Sequence, residues 1–407
     1  MRTKEKMTVL YITYDGVLEP LGQSQVLGYL RGLAEYRDIV LMSFEKKEDW
    51  DNKPERKRTA TSIAAAGIYW HPLRYHKNPS ALATLWDITC GFVVGLSLVL
   101  RYRLTIVHAR SYVSSVVALL LKRIAGVNYI FDMRGFWADE RIDGGLWPNG
   151  GRLYRIATCF ERKFLLNADV VVSLTQAAVN EMLTFPYLRG TMPSFKVITT
   201  CADLKLFQPV QARYKEHHSH RPFTLGYVGS VGVWYLFDET LRCFQLLREL
   251  VPDARLHILN RGGHGYIRDR MKAMNIDSDV VQIEATDQSG VARAMQEMDA
   301  GIFFIKPVYS KIASAPTKLG EFLGCGVPCL GNTGVGDMAA ILENEQVGVA
   351  LTCFDEDSMR TALKRLLQLK HTDGIKERCR EVALRYFSLD EGVRRYASIY
   401  KQLDVSS

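Results

Sequence analysis

With 407 residues, the chain is too long for one ordinary hydrophobic core, so its length predicts two domains. Hydrophobic residues make up 47% of it and charged residues 24%, proportions typical of a soluble globular protein. The net charge of +8 lies entirely in residues 1–200, which hold 26 basic and 18 acidic side chains, so a negatively charged surface is expected to meet this half. No basic run interleaved with aromatic residues occurs, which argues against nucleic acid as that partner.

The cysteine pattern and the first residues bear on location. Eight cysteines are scattered without a CxxC pair or a histidine at zinc-finger spacing, so neither a disulfide framework nor a zinc site is predicted, and a cytoplasmic location is expected. The basic residues 1–7 are followed only by the short apolar run Val9–Ile12, which is typical of a first strand and not of a signal peptide.

The first half alternates short apolar runs with helical patterns, which predicts a parallel sheet covered on both faces. The predicted strands are Val9–Tyr14, Ile39–Phe44, Gly67–Pro72, Leu104–His108, Tyr129–Asp132, Val170–Leu174 and Lys196–Thr199. The predicted helices include Val26–Leu33, Tyr112–Ile124, Leu153–Leu166 and Gln176–Leu183. The mixed charges of Lys46–Arg58 indicate a solvated loop or frayed helix, and Met133–Gly151 is predicted to be a loop.

Residues 81–100 form the longest apolar segment and are followed by Arg101 and Arg103. Their number approaches that of a membrane span, but Asp87 lies among them and a strand is predicted from Leu104. A helix packed on the core is the main interpretation, and a helix touching a membrane surface and a true span are the alternatives. Together with the basic first half, the segment predicts contact with an anionic membrane leaflet.

The strand–helix pattern restarts after Gln208–Pro222, a polar, His-rich segment interpreted as a linker. Strands are predicted at Thr224–Gly229, Arg255–Asn260, Val280–Glu284, Gly301–Ile305, Val327–Gly331 and Val347–Ala350. The predicted helices are Asp238–Val251, Gly265–Met274, Val291–Met298, 316–324, Met338–Glu343 and Asp355–Leu369. The sequence therefore predicts two α/β domains, at 1–207 and 208–386, with ligand-binding loops at the carboxyl ends of both sets of strands.

The stretch 309–328 reads as a polar loop followed by a short helix. If Pro316 is the first helical residue, Ala315 is the N-cap, and alanine offers no side-chain acceptor to the amides of Thr317 and Lys318. Uncommitted amides, a hydroxyl and a lysine at a helix start favour a phosphate. Glu321, one turn further on, could accept hydrogen bonds from sugar hydroxyls. The alternative is an ordinary surface helix.

Four segments resemble the GT-B glycosyltransferases, specifically the retaining family-4 type, and they span nearly the whole chain. They are ERKFLLNADVVVSLTQA (161–177), VITTCADLKLFQP (197–209), the stretch 309–328 and FSLDEGVRRYASIYKQL (387–403). The resemblance implies two Rossmann-like domains facing across a cleft, with the helix in 387–407 crossing back to the first domain. It also implies transfer of a sugar from a nucleotide-sugar donor with retention of configuration.

Two departures from the family pattern concern charge. Glu321 matches the second Glu of the family's E-x7-E motif, but the first falls at Ala313. The family's Arg and Lys after the first strand of the second domain fall at Ser230 and Tyr235. Those cations normally offset the charge of the leaving diphosphate, so other cations are expected to replace them. The motifs GS-x-G-x-WY, SK-x-AS-x-PTKLGE and N-x-GVGD together indicate a recognisable subgroup.

The candidate residues follow from the resemblance and from their places after predicted strands. The donor-binding candidates are Gly22, Ser230, Gly232, Arg261, Lys311, Pro316, Thr317, Lys318 and Glu321. The acceptor-binding candidates are Gln23, Ser24, Arg110, Asp132, Arg134, Trp137 and Glu140. The catalytic candidates are Lys318, Asp132, Arg134 and Arg261. No DxD motif stands in a metal-like setting, so no metal or cofactor is expected besides the nucleotide sugar as co-substrate.

The sequence therefore predicts a cytoplasmic glycosyltransferase, peripheral on the inner face of the membrane, that acts on a saccharide or lipid-linked saccharide in surface polysaccharide biosynthesis. A GT-B sugar-nucleotide epimerase or hydrolase is one alternative. A catalytically silent nucleotide-sugar-binding scaffold is another, because Ser230 and Tyr235 replace cations.

Overall fold

A computed structural model describes residues 9–209 and 221–405 and divides the chain into two compact units. One unit comprises Met1–Thr199 with Leu389–Ser407, and the other comprises Thr200–Ser388. The sequence placed the boundaries at 207/208 and 386/387 instead. The difference arises because residues 200–207 pack within the second unit, where Ala202 N donates to Phe387 O at 2.8 Å and Phe207 is fully buried. Residues 210–220 of the predicted linker lie outside the described residues.

The first unit is built on a seven-stranded, fully parallel sheet in the order β3-β2-β1-β4-β5-β6-β7. Its strands are β1 (Val9–Thr13), β2 (Ile39–Glu45), β3 (Tyr69–Arg74), β4 (Ile106–Arg110), β5 (Asn128–Asp132), β6 (Val170–Ser173) and β7 (Phe195–Val197). All residues of β1, β2 and β4 are buried, so these strands are mainly apolar and show no alternation with polar residues, although β4 also contains His108 and Arg110.

Helices cover both faces of this sheet. They are α1 (Pro20–Gly22), α2 (Gly28–Leu33), α3 (Lys47–Asp51), α4 (Lys53–Ala65), α5 (Ser80–Tyr102), α6 (Ser111–Ala125), α7 (Trp137–Asp143), α8 (Arg152–Asn167), α9 (Gln176–Leu183) and α17 (Leu389–Val405). A π-helical segment, Gln23–Leu27, joins α1 to α2. One layer contains α5, α6 and α8 in contact in that order, and the opposite layer contains α2 and α17.

The second unit has a six-stranded parallel sheet in the order β10-β9-β8-β11-β12-β13. Its strands are β8 (Thr224–Val228), β9 (Arg255–Leu259), β10 (Val281–Glu284), β11 (Ala300–Ile302), β12 (Cys329–Asn332) and β13 (Gly348–Leu351). Its helices are α10 (Phe237–Leu250), α11 (His264–Ala273), α12 (Gln288–Gln296), α13 (Thr317–Gly324), α14 (Met338–Asn344), α15 (Glu356–Lys370) and α16 (Ile375–Phe387). The prediction of an α/β protein with two parallel sheets is therefore confirmed.

Three segments are more helical than the sequence predicted. The region Lys46–Arg58, interpreted as a solvated loop or frayed helix, contains the helices α3 and α4, and the Asn52 side chain caps α4 by accepting from Glu55 N at 3.4 Å. The predicted loop 133–151 contains α7. Residues 20–25, for which no helix was predicted, are also helical.

Helix α5 is the long apolar segment noted in the sequence. Asp87 is fully buried on it and accepts hydrogen bonds from Tyr14 Oη at 2.8 Å and His76 N at 3.0 Å. Two glycines let α5 approach its neighbours, since a Cβ on Gly91 would lie 3.0 Å from the Phe44 ring. The helix packs on the sheet, as the main interpretation predicted. Among residues 9–209 and 221–405 it is the one helix whose length and composition would suffice for a membrane span.

Candidate functional site

The second unit contains a cavity of about 380 Å³ at the carboxyl ends of β8, β9 and β10. The residues that line it are Val228, Gly229, Ser230, Val231, Leu259, Asn260, Arg261, Gly262, Gly263, Thr286 and Val291. Ligands of parallel α/β sheets bind at this edge, beyond the strand ends. Ser230 and Arg261, two of the predicted donor-binding residues, are thus brought to one cavity.

Asn260 joins the two loops that form the cavity wall. Its Nδ2 donates to Gly229 O at 2.8 Å, and its Oδ1 accepts from Gly262 N at 3.1 Å and from Gly263 N. The polypeptide between these points is therefore held in one conformation. Arg261 is exposed on this wall, and its side chain makes no hydrogen bond or ion pair with any residue of the described ranges. Its guanidinium is available to an anionic ligand.

Helix α13 begins one residue later than predicted. Pro316 is its N-cap, in an extended conformation with φ −71° and ψ 117°, and Thr317 is the first helical residue. A proline at this position brings no side-chain acceptor, so no side chain caps the helix. The positive end of the helix dipole and the first amides therefore stay available, as the sequence argument required, although the capping residue is Pro316 and not Ala315.

Lys318 lies on the first turn of α13 and is 8% exposed. Its Nζ has no hydrogen-bond partner among the described residues and lies 4.1 Å from the centre of the Tyr235 ring. Gly229 has φ +125°, a conformation that favours glycine, and a Cβ there would lie 2.7 Å from this Nζ. Burial lowers the pKa of Lys318 to about 7, partly opposed by Glu321, and burial raises the pKa of Glu321 to about 7, partly opposed by Lys318.

The two departures from the family's cation pattern have a structural counterpart. Tyr235, at the position of the family's lysine, places its ring against Lys318, and the neighbouring Trp234 places its ring 3.8 Å from Lys311 Nζ. Ser230 carries no charge, but its carbonyl accepts from Tyr227 Oη at 2.6 Å, which fixes the loop. Aromatic faces attract cations most strongly where water is excluded. The rings of Tyr235 and Trp234 therefore contact Lys318 and Lys311, which both belong to the segment 309–328.

In the first unit, a buried group of charged residues lies at the carboxyl ends of β4 and β5. Asp132 Oδ2 lies 3.5 Å from His108 Nε2 and accepts from Tyr396 Oη at 3.2 Å, while its Oδ1 lies 3.8 Å from Arg134. Burial alone would raise the pKa of Asp132, but the charges of Arg134 and Arg110 and the contact with His108 outweigh it and lower this pKa. Burial lowers the pKa of His108, so the ring is neutral at pH 7.

Two features of this group are typical of functional sites. Arg134 has φ +60°, a left-handed conformation that side chains other than glycine and asparagine rarely adopt. Arg110 is 5% exposed; its Nε lies 3.5 Å from Asp15 Oδ2, and its buried Nη1 has no hydrogen-bond partner among the described residues. A buried guanidinium with unused donors favours a ligand that accepts hydrogen bonds.

Comparison with known proteins bears on the fold and on part of the first unit. Residues 26–189 match the family model described as a glycosyl transferase 4-like domain. The sucrose-phosphate synthase of Thermosynechococcus elongatus superposes with a TM-score of 0.71 at 14% identity, covering 99% of this chain and 100% of that one. The protein has the GT-B fold.

Two further structures share this fold. Anabaena HepE in complex with UDP and glucose superposes with a TM-score of 0.68 at 14% identity, covering 97% of this chain and 99% of that one. The lipopolysaccharide outer core galactosyltransferase WaaB, in its apo form, gives a TM-score of 0.64 at 13% identity, with coverage of 97% and 100%. No curated protein sequence matches the chain significantly.

Three predicted residues of this GT-B protein make contacts that support its own framework. A Cβ on Gly22 would lie 2.0 Å from Gly16 O, so this glycine allows two backbone segments to meet. Gln23 Nε2 donates to Val17 O at 2.7 Å, and Ser24 Oγ donates to Pro20 O within the helical turn. These contacts give Gly22, Gln23 and Ser24 a structural role, and their roles in binding stay predictions.

The remaining predicted residues lie on or beside these elements. Trp137 and Glu140 are on α7, where the Trp137 ring stacks on Tyr112 at 5.6 Å between ring centres. Gly232 has φ +107°, which suits glycine alone. Sequence reasoning missed Tyr396, which reaches Asp132 from α17; the spacing of Tyr396 and Tyr400, one turn apart, was the available signal. Among the described residues, no group of three or more His, Cys, Asp or Glu side chains could hold a metal ion.

Proposed function

We propose that the protein transfers a sugar from a nucleotide-sugar donor to a saccharide acceptor, with retention of configuration and without a metal. The observation that supports this most is the Lys318 ammonium, buried without a hydrogen-bond partner at the uncapped start of α13. Burial disfavours the charged form of this lysine and lowers its pKa to about 7, and a donor diphosphate beside it would favour the ammonium. The UDP found in the HepE complex is consistent with such a donor.

In the proposed complex, the diphosphate lies at the N-terminus of α13, against Thr317 and Lys318. Glu321, one turn deeper, accepts hydrogen bonds from the ribose, as the family resemblance implies. Arg261 and Lys311 supply the positive charge that Ser230 and Tyr235 lack. Preorganised cations of this kind stabilise the charge that develops on the leaving diphosphate.

The acceptor binds to the first unit in this proposal. Arg110 and Arg134 donate hydrogen bonds to it, Asp132 orients them, and Trp137 offers an aromatic face to a sugar ring. During transfer, the bond from the sugar's anomeric carbon to the donor phosphate breaks and a bond to the acceptor oxygen forms on the same face. The acceptor's proton passes to the leaving phosphate, so no pair of protein carboxylates is required.

We further propose a lipid-linked acceptor in surface polysaccharide assembly and a peripheral position on the cytoplasmic face of the membrane. The apolar helix α5 and the basic first 200 residues support this part of the proposal. Lipid-linked acceptors remain at the membrane, so an enzyme acting on them gains from binding its surface.

Donor identity is tested with a thermal-shift panel of nucleotide sugars, because a ligand that binds only the native state raises the melting temperature. The stabilising donor is then incubated with acceptor extracts, and nucleotide release is measured. Release that depends on the acceptor supports the proposal. Release without acceptor would identify the hydrolase or epimerase alternative. Binding without release, with every extract, would identify the silent scaffold that Ser230 and Tyr235 suggest.

Nucleotide binding is expected to take up a proton above pH 7. In the free protein the pKa of Lys318 is about 7, and a bound diphosphate favours the ammonium and raises this pKa. The affinity for the nucleoside diphosphate should therefore fall by up to about tenfold per pH unit as the pH rises above 7. Calorimetry in buffers of different ionisation enthalpy counts the protons directly. Affinity and proton count independent of pH would exclude Lys318 as the phosphate ligand.

A further inference from the structure

The layer formed by α5, α6 and α8 differs in charge from the opposite face of the first unit. Its three helices carry seven basic residues, one on α5, two on α6 and four on α8, but only two acidic residues. Those two, Asp87 and Glu161, are 0% and 5% exposed. Every charge that these helices present to solvent is therefore positive.

The outer surface of the same layer is also apolar. On α5, Leu82, Trp86, Val93 and Leu100 are 59–67% exposed and recur at helical spacing on the side opposite the buried Gly91. A surface helix normally turns polar residues outward. Because α5 is apolar on its outer side as well as on the side that packs against the sheet, its outer side is expected to contact a second apolar environment.

Helix α8 continues this surface with a mixed pattern. Leu153 and Ile156 are 48% and 54% exposed, and the side chains of Arg152 and Arg155 beside them are exposed. These two arginines make no hydrogen bond or ion pair with any side chain in the described ranges. Apolar side chains with adjacent unpaired cations are the pattern of a helix that lies in the headgroup region of an anionic bilayer.

The opposite layer provides the contrast. Helix α4 belongs to it, because Gln23 of the segment before α2 donates to Thr59 on α4. There the exposed charges have both signs: α4 carries four basic residues and one acidic residue, with Arg58 3.2 Å from Glu55, and α17 carries three residues of each sign. A face on which every exposed charge is positive is therefore found on α5, α6 and α8 and not on α4 and α17.

We infer that the outer face of α5, α6 and α8 binds the surface of an anionic lipid bilayer. A second copy of the chain fits this face less well, because a symmetric dimer would oppose each basic surface to its own equivalent. The inference extends the membrane part of the proposed function, but it rests on exposure and charge alone and does not require glycosyl transfer.

The test is co-sedimentation with vesicles of equal parts phosphatidylcholine and phosphatidylglycerol, compared with phosphatidylcholine alone. The wild type is expected to bind only the anionic vesicles, and more weakly as salt is raised. The double variant Arg152→Glu and Arg155→Glu should lower the partition coefficient roughly 30-fold or more, since each basic residue near the surface contributes several-fold. The matched control, Lys57→Glu with Arg58→Glu on α4, changes the net charge equally and should bind nearly as well as the wild type.

Insertion of α5 has a separate readout. Bromine-labelled lipids in the same vesicles should quench tryptophan fluorescence, and Trp86→Phe, at a position that is 59% exposed, should remove most of the quenching. Equal loss of binding in both charge variants, or binding that ignores lipid charge, would overturn the inference. So would a dimer that forms without lipid and dissociates in Val93→Glu. Nucleotide binding, followed by thermal shift, should stay at the wild-type level in the Arg152/Arg155 variant, so this inference and the proposed function can fail separately.

Discussion

Replacement of Lys318 by methionine should lower sugar transfer by roughly 10²–10³-fold, the usual effect of removing one donor that stabilises a charged leaving group. Methionine fills nearly the same volume but carries no charge. The lysine Nζ has no hydrogen-bond partner in the described chain, so the substitution removes only its contact with the Tyr235 ring and its charge beside Glu321. The measurement is nucleotide release at saturating donor and acceptor, together with the dissociation constant of the nucleoside diphosphate, which should rise at least tenfold.

The same variant should be as stable as the wild type, or more stable, and this separates a functional role from a structural one. The folded-state pKa of Lys318 is lowered from 10.5 to about 7, so between these values the unfolded chain binds more protons than the folded one. The wild type should therefore gain stability relative to Lys318→Met as the pH rises from about 7 to about 10. Lys364→Met, which removes an exposed charge from α15, is the control. It should change neither sugar transfer nor the pH dependence of stability. A Lys318→Met protein that unfolds, or one that turns over normally, contradicts the assignment.

Much of the fold was predictable because burial in parallel sheets leaves a plain signal. Strands such as β1, with all five residues buried, are apolar runs between helical patterns. Helices α3 and α4 were predicted only as a solvated loop or frayed helix, because their segment has mixed charges and few buried residues, Thr59 and Ile63 on α4. Helix α16 could have been found, since Ile375, Cys379, Val382 and Phe387 lie on one buried stripe.

Only those features of the candidate site that depend on the local sequence could be predicted. The chain order of proline, threonine and lysine indicated an open helix start, and α13 has one. The burial of Lys318 could not be foreseen, because it depends on Tyr235 and Gly229, which come from a loop more than eighty residues earlier. Equally, the hydrogen bond from the Gln23 amide to Val17 O could not be foreseen from the sequence. Long-range contacts of this kind are set by topology and not by any local pattern.

The second large effect is expected at Asp132. Asp132→Ala leaves Arg134 buried without the nearest negative charge, and breaking a buried ion pair on one side costs roughly 3–5 kcal/mol. The loss should fall on the first unit and appear as lower hydrogen-exchange protection of the β4 and β5 amides, while the β8 and β9 amides of the second unit serve as the internal reference.

The double variant Asp132→Ala with Arg134→Met distinguishes a role of this ion pair in acceptor binding from a purely structural role. Removing both charges also releases the arginine's desolvation penalty, so most of the lost protection should return. Transfer should nevertheless stay lost, because Arg134 then has no guanidinium to offer the acceptor, while nucleotide binding by the second unit should be unaffected. Recovery of transfer together with stability would make the pair purely structural. Equal hydrogen-exchange protection in the single and double variants would mean that the Asp132 carboxylate does not offset the charge of the Arg134 guanidinium. Restored stability and intact nucleotide binding without sugar transfer would indicate that the acceptor binds at Arg134.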